Sequence, residues 1–80
     1  MKISVDISLY PLQENYRDLV TNFIKHIENM PNTTVTANAM STTLFGDYQD
    51  IMPVLKQAMQ NALKEVPQSV FVIKLSGGCH

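Results

Sequence analysis

The feature that most constrains this chain lies at its start. Residues 3 to 10, Ile-Ser-Val-Asp-Ile-Ser-Leu-Tyr, alternate apolar and polar side chains without a break. A period of two is the signature of a β-strand with one buried face. Ile3, Val5, Ile7 and Leu9 share that face, and Ser4, Asp6, Ser8 and Tyr10 share the other. Pro11 ends the strand, because it has no N–H to give to a ladder. A strand with four aliphatic residues on one side has to be covered there.

The cover comes from two stretches in which the period changes. Tyr16, Leu19, Val20, Phe23, Ile24, Ile27 and Met30 recur at three- and four-residue spacing, the apolar stripe of an amphipathic helix. Asn15 or Glu14 opens it, Asp18 favours its positive end, and Met30-Pro31-Asn32 closes it. A second stripe runs through Ile51, Leu55, Ala58, Met59, Ala62, Leu63 and Val66, after a start at Gly46-Asp47. Pro53 is tolerated only near a helix start. Either Asp50 is therefore the N-cap, or Asp47 is and the first turns are distorted. Pro67 breaks this helix.

Between the helices, residues 33 to 46 are threonine-rich and lack a helical pattern, which favours extended structure. The stretch is long for one strand. It divides into strands at about 33–38 and 41–46, with a tight connection near Asn38 to Met40. Residues 69 to 75, Ser-Val-Phe-Val-Ile-Lys-Leu, form a last strand, with Phe71, Ile73 and Leu75 on one face and Val70, Val72 and Lys74 on the other. Ser76 to His80 read as a loop. The order β-α-β-β-α-β predicts an α+β, ferredoxin-like sandwich spanning residues 1–80. Two right-handed crossovers build a four-stranded antiparallel sheet with both helices on one face. The first and third strands are expected at its centre. The other sheet face is left to water, a ligand or a second subunit.

Composition narrows the functional classes. Eighty residues support one core, and a chain so short gains from association. Charged residues make up 16%, and six basic against seven acidic residues give a net charge of -1. No nucleic-acid footprint or polybasic membrane patch results. No apolar run approaches the roughly 18 residues of a membrane span. The first residues do not form a secretory signal, and the single Cys79 has no internal disulfide partner, so the cytoplasm is the expected compartment.

The open face is where function is expected. It shows Ser4, Asp6, Ser8 and Tyr10, with Val70, Val72, Lys74 and Ser76 from the last strand, and threonines, Ser41 or both from the middle strands. Hydroxyls, one acid and aliphatic area together suit a small polar aromatic ligand. Asp6 stands out because aspartate is disfavoured in strands. It accepts hydrogen bonds from a ligand amino group, or is an ordinary solvated acid, or pairs with Lys74. Met40-Ser41-Thr42-Thr43 offers a hydroxyl cluster beside a turn, or simply turn and strand chemistry. Tyr10 and Tyr48 are stacking candidates, or packing residues at element ends. Catalytic and metal signals are thin. His26 has polar neighbours and reads as solvated. Cys79-His80 lack a second ligand pair. Gly77-Gly78 precedes no helix and is no phosphate loop.

Three segments resemble a known family. Ile7-Ser8-Leu9-Tyr10-Pro11-Leu12 resembles the opening strand motif of the YkoF-like thiamine/hydroxymethylpyrimidine-binding family. Ser41-Thr42-Thr43-Leu44-Phe45-Gly46-Asp47 resembles its central strand and the start of its second helix. Ser76-Gly77-Gly78-Cys79 resembles its closing strand end, with His80 where the family has proline. Met40-Ser41-Thr42 is also similar to the Met-Gly-Thr segment of a related thiamine-binding family. The resemblance implies a ferredoxin-like domain that binds the pyrimidine part of thiamine without transforming it and needs no cofactor. It implies a pocket on the open face and its interface, with Ser8, Tyr10, Ser41, Thr42, Ser76 and Cys79 as ligand contacts, to which chemistry adds Asp6. Tandem family members hold two such domains together. A single copy is therefore expected to pair with itself as a homodimer or homotetramer. The competing reading is a self-assembling regulatory or structural domain whose open face is only an interface. A small enzyme is a third, with only Asp6 and Lys74 to supply chemistry on that face.

Overall fold

The computed structural model describes residues 1–12 and 17–77. Elements follow in the order β1 (Lys2–Tyr10), α1 (Arg17–Glu28), β2 (Thr33–Ala37), β3 (Thr42–Asp47), α2 (Tyr48–Glu65) and β4 (Val70–Ser76). The four strands form one antiparallel sheet in the order β2-β3-β1-β4. This is the ferredoxin-like α+β sandwich, with the first and third strands at its centre.

The core follows from the alternation. Ile3, Val5 and Ile7 of β1 are buried and meet Leu44 of β3 and Ile51, Leu55, Ala58 and Ala62 of α2. Leu19, Phe23 and Ile27 of α1 close the layer, and Met30 packs into it from just beyond the helix end. The Phe23 and Phe71 rings lie 5.2 Å apart and tilted by 48°, an edge-biased aromatic contact. Asp18 in the first turn of α1, and Lys25 and His26 in its last, complement the helix dipole. The expected start of α1 at Glu14 or Asn15, and Tyr16 of its stripe, lie outside the described residues.

Of the two readings of the second helix start, the structure takes the earlier. Asp47 stands at the N-cap position in extended conformation, but its carboxylate makes no cap bond. The register sets Lys2 across from Asp47, so the carboxylate turns to Lys2 Nζ at 3.5 Å and the N-terminal ammonium at 3.7 Å. The Tyr48 N–H donates to the Met1 carbonyl at 2.9 Å, tying the helix start to the strand start. Pro53 therefore sits inside α2, on its exposed side. It deprives one carbonyl of its helical donor, and the buried positions on either side of it, Ile51 and Leu55, hold the helix together there.

Two strands differ from the simple two-face pattern. In the Thr-rich stretch, register sets Thr42 beside Ile7 and Ala37 on the helix side, where it is 5% exposed. Thr34, Thr36 and Thr43 take the open side. In β4, Ile73 and Leu75 align with Ile7 and Val5 on the helix side, yet remain 42% and 48% exposed. The helices reach over the sheet centre and, through Phe23, over Phe71, but leave Ile73 and Leu75 of this edge strand uncovered.

Candidate ligand-binding site

β1 is longer than its pairing with β3. The last paired position is Ile7 with Thr42, and β1 continues through Ser8, Leu9 and Tyr10 paired only with β4. The connection from β2 to β3 closes over that end. Asn38 organises it: its Oδ1 accepts the N–H groups of Met40 at 2.9 Å and Ser41 at 3.0 Å, while its own N–H donates to the Ser41 carbonyl at 3.0 Å. This is an Asx-type turn, in which a short amide side chain replaces backbone partners. The Ser8 hydroxyl then donates to the Met40 carbonyl at 3.1 Å, fastening the turn to β1.

A cleft of about 70 Å³ opens beneath this turn. Its apolar wall is Ile7 and Leu9 of β1 with Val20, Phe23 and Ile24 of α1; its rim is Ser8, Asn38, Ser41 and Thr42. It shares Leu9, Ala39 and Met40 with a second hollow of about 300 Å³, which adds Tyr10, Pro11 and Leu12. That size stands at the lower end of the roughly 300–1,000 Å³ usual for small-molecule sites. Met40 and Tyr10 are exposed at its mouth. Among the described residues, none of the side chains lining the two hollows carries a formal charge.

The expected site residues therefore separate. Ser8, Ser41 and Thr42 meet at the cleft, and Tyr10 lies beside them. Asp6 and Ser76 lie elsewhere, in a shallow depression of about 190 Å³ on the open face, with Ser4, Thr43 and Lys74. There the register sets Asp6 between Thr43 and Lys74. Cys79 lies outside the described residues. Other contributors were not singled out as ligand contacts from sequence, among them Asn38, whose preference for its own following backbone was the available signal, and Val20, Phe23 and Ile24 of α1, which read as ordinary core. His26 lines a groove of about 230 Å³ between α1 and α2 with Asn22, Asn61 and Glu65. Among the described residues no three His, Cys, Asp or Glu side chains come together as a metal site. No helix among them is long and apolar enough to cross a membrane.

Solved structures share this fold across almost the whole chain. A protein from Streptococcus pneumoniae superposes with a TM-score of 0.87 at 22% identity, covering 98% of this chain and 88% of its own. A hypothetical protein from Methanocaldococcus jannaschii gives 0.81 at 26% identity, covering 98% and 81%. A candidate thiamine biosynthesis/salvage protein from Thermotoga maritima gives 0.81 at 19% identity, covering 98% and 85%. No curated protein matches the sequence. The model of the YKOF-related family matches residues 2–80. The motif resemblance and the fold thus converge, and the chain belongs to the YKOF-related family.

Proposed function

We propose that this protein binds thiamine, or its hydroxymethylpyrimidine part, without transforming it, in the cleft under the β2–β3 turn. The observation that carries the reading is the meeting of Ser8 with Ser41 and Thr42 around one apolar-walled cleft. These residues come from two separate motif segments, and the Ser8 to Met40 hydrogen bond joins those segments. Membership of the YKOF-related family supports a thiamine-related role, as does the name of the Thermotoga maritima neighbour.

The chemistry of the lining sharpens the ligand. An aminopyrimidine is flat, neutral and edged with donors and acceptors. The apolar wall takes its faces; the hydroxyls of Ser41 and Thr42 donate to or accept from its edge, and Ser8, whose own proton goes to the Met40 carbonyl, accepts. A cation or phosphate buried among uncharged side chains would lack a partner and pay a large desolvation cost. The edge of the pyrimidine therefore meets the rim of the cleft, its ring extends into the adjoining hollow of about 300 Å³ by Tyr10 and Met40, and the thiazolium of thiamine stays outside. The open-face group of Asp6, Lys74 and Ser76 is left outside the primary contact.

Thermal denaturation with hydroxymethylpyrimidine, thiamine and thiamine diphosphate tests this reading. At ligand about 100-fold above the dissociation constant, stabilisation of about 2.7 kcal/mol is expected. The first two ligands should act alike, the diphosphate no better, and Ser8→Ala and Ser41→Ala should each reduce the effect. Absence of stabilisation by all three at millimolar concentration refutes the proposal.

A further inference from the structure

Hydroxyl groups make a tolerant binding site by default. Each can donate or accept, so a rim of serines and threonines takes an amino edge as readily as a carbonyl edge. One hydroxyl at this rim has lost that freedom. Ser8 Oγ stands 3.1 Å from the Met40 carbonyl oxygen. A carbonyl only accepts, so the Ser8 proton is committed there and lone pairs alone remain for the cleft. The hydroxyls of Ser41 and Thr42, on the same rim, carry no such commitment among the described residues and turn either way.

The direction of the Met40 carbonyl is set from the other end of its peptide. That carbonyl and the Ser41 N–H belong to one trans peptide unit, in which C=O and N–H point opposite ways. Asn38 Oδ1 accepts the Ser41 N–H at 3.0 Å and the Met40 N–H at 2.9 Å. With its N–H drawn to Asn38, the unit turns its carbonyl to Ser8. We infer that Ser8 is the specificity-determining residue of the cleft, reading a hydrogen-bond donor on the ligand, and that Asn38 is the positioning residue that fixes its polarity. Both roles rest on the reading of the cleft as a pyrimidine site. An aminopyrimidine offers an amino donor beside a ring-nitrogen acceptor. Its oxo counterpart offers a carbonyl acceptor beside a ring N–H. The ring N–H suits the adaptable Ser41 and Thr42, but the carbonyl faces the Ser8 lone pairs. To donate to it, Ser8 must abandon Met40 and leave that carbonyl without its partner. The cleft therefore holds amino-bearing pyrimidines and rejects oxo-pyrimidines, so a ligand that has lost its amino group to hydrolysis is released.

NMR titration of the full chain with three probes tests these roles: hydroxymethylpyrimidine, the analogue with an oxo group in place of the amino group, and the analogue with hydrogen there. The expected order of affinity is amino, hydrogen, oxo, with the oxo form about 10 to 100-fold weaker than the amino form. A freely turning Ser8 would instead rank oxo above hydrogen. Ser8→Ala should bring the amino and oxo forms to nearly equal affinity, and Asn38→Ala should do the same. Asn38→Asp keeps a side-chain acceptor for the turn and should retain the preference. Circular dichroism checks the fold of each variant, and the order of the three probes needs only the wild type. An oxo form that binds as tightly as the amino form, or more tightly than the hydrogen form, overturns the inference while leaving pyrimidine binding in place. So does a preference that survives Ser8→Ala or Asn38→Ala. Binding of none of the three at millimolar concentration overturns the pyrimidine site and these roles together.

Discussion

Gly46 offers a sharp test of how tightly β2 and β3 are matched. It is buried in β3, on the helix side of the sheet, with Thr33 as its partner in β2 and Ile3 in β1. A Cβ added there would stand 3.0 Å from the Asn32 carbonyl oxygen, 3.1 Å from Thr33 Oγ1 and 3.3 Å from Thr33 Cα. Two of these neighbours are backbone and cannot rotate away. Asn32 is itself constrained, with φ of 55°, a left-handed conformation that asparagine tolerates. Thr33 Oγ1 is held by its donation to the Pro31 carbonyl at 3.0 Å. In Gly46→Ala the start of β2 must therefore move as a unit. Overpacking of this kind costs about 1–3 kcal/mol. Restricting the unfolded chain returns about 0.4–1 kcal/mol. The net destabilisation centres near about 1.3 kcal/mol, or roughly 5–10 °C in Tm for a domain of this size. Urea and thermal denaturation followed by circular dichroism measure it. An unchanged or raised Tm would show that β2 yields freely and would refute the close-packing argument.

Two further perturbations follow from the same geometry. Asn38→Ala removes the acceptor for the Met40 and Ser41 N–H groups; stability should fall by about 0.5–2 kcal/mol, with the amides of residues 40 and 41 exchanging faster by NMR. Leu44→Ala empties a fully buried site between Val5 and Val35 and should cost about 2–5 kcal/mol in chemical denaturation.

The fold was legible where periodicity is strong. The alternation of Ile3 to Leu9 and the stripe of Leu19, Phe23 and Ile27 each point to one buried face, and the structure buries those faces. It was less legible where side chains lack contrast. The threonine-rich β3 carries no clean alternation, so the sequence could not say that Thr42 faces the helices while Thr43 faces out. That phase is set by pairing with Ile7 and Asp6, a long-range fact. The exposure of Ile73 and Leu75 was hidden for a similar reason: an edge strand and a central strand can share one pattern, and only helix placement separates them. The grouping of Ser8 with Ser41 depended on β1 outrunning β3 and on Asn38 folding the turn back, neither of which spacing reveals. Tyr10 and Asp6, four residues apart on one strand face, looked like parts of one site. At the rise of about 3.4 Å per residue in an antiparallel strand they stand roughly 14 Å apart, and they line different hollows.

The central claim is that the pyrimidine of thiamine occupies the cleft beneath the β2–β3 turn. Its most direct test is a titration of ¹⁵N-labelled protein with hydroxymethylpyrimidine, followed by amide chemical shifts. Saturable shifts concentrated at Ser8, Leu9, Asn38, Met40, Ser41 and Thr42 are expected, with Ser4, Asp6, Lys74 and Ser76 nearly still. Shifts centred on the Asp6, Lys74 and Ser76 group, or none at millimolar ligand, would contradict the account.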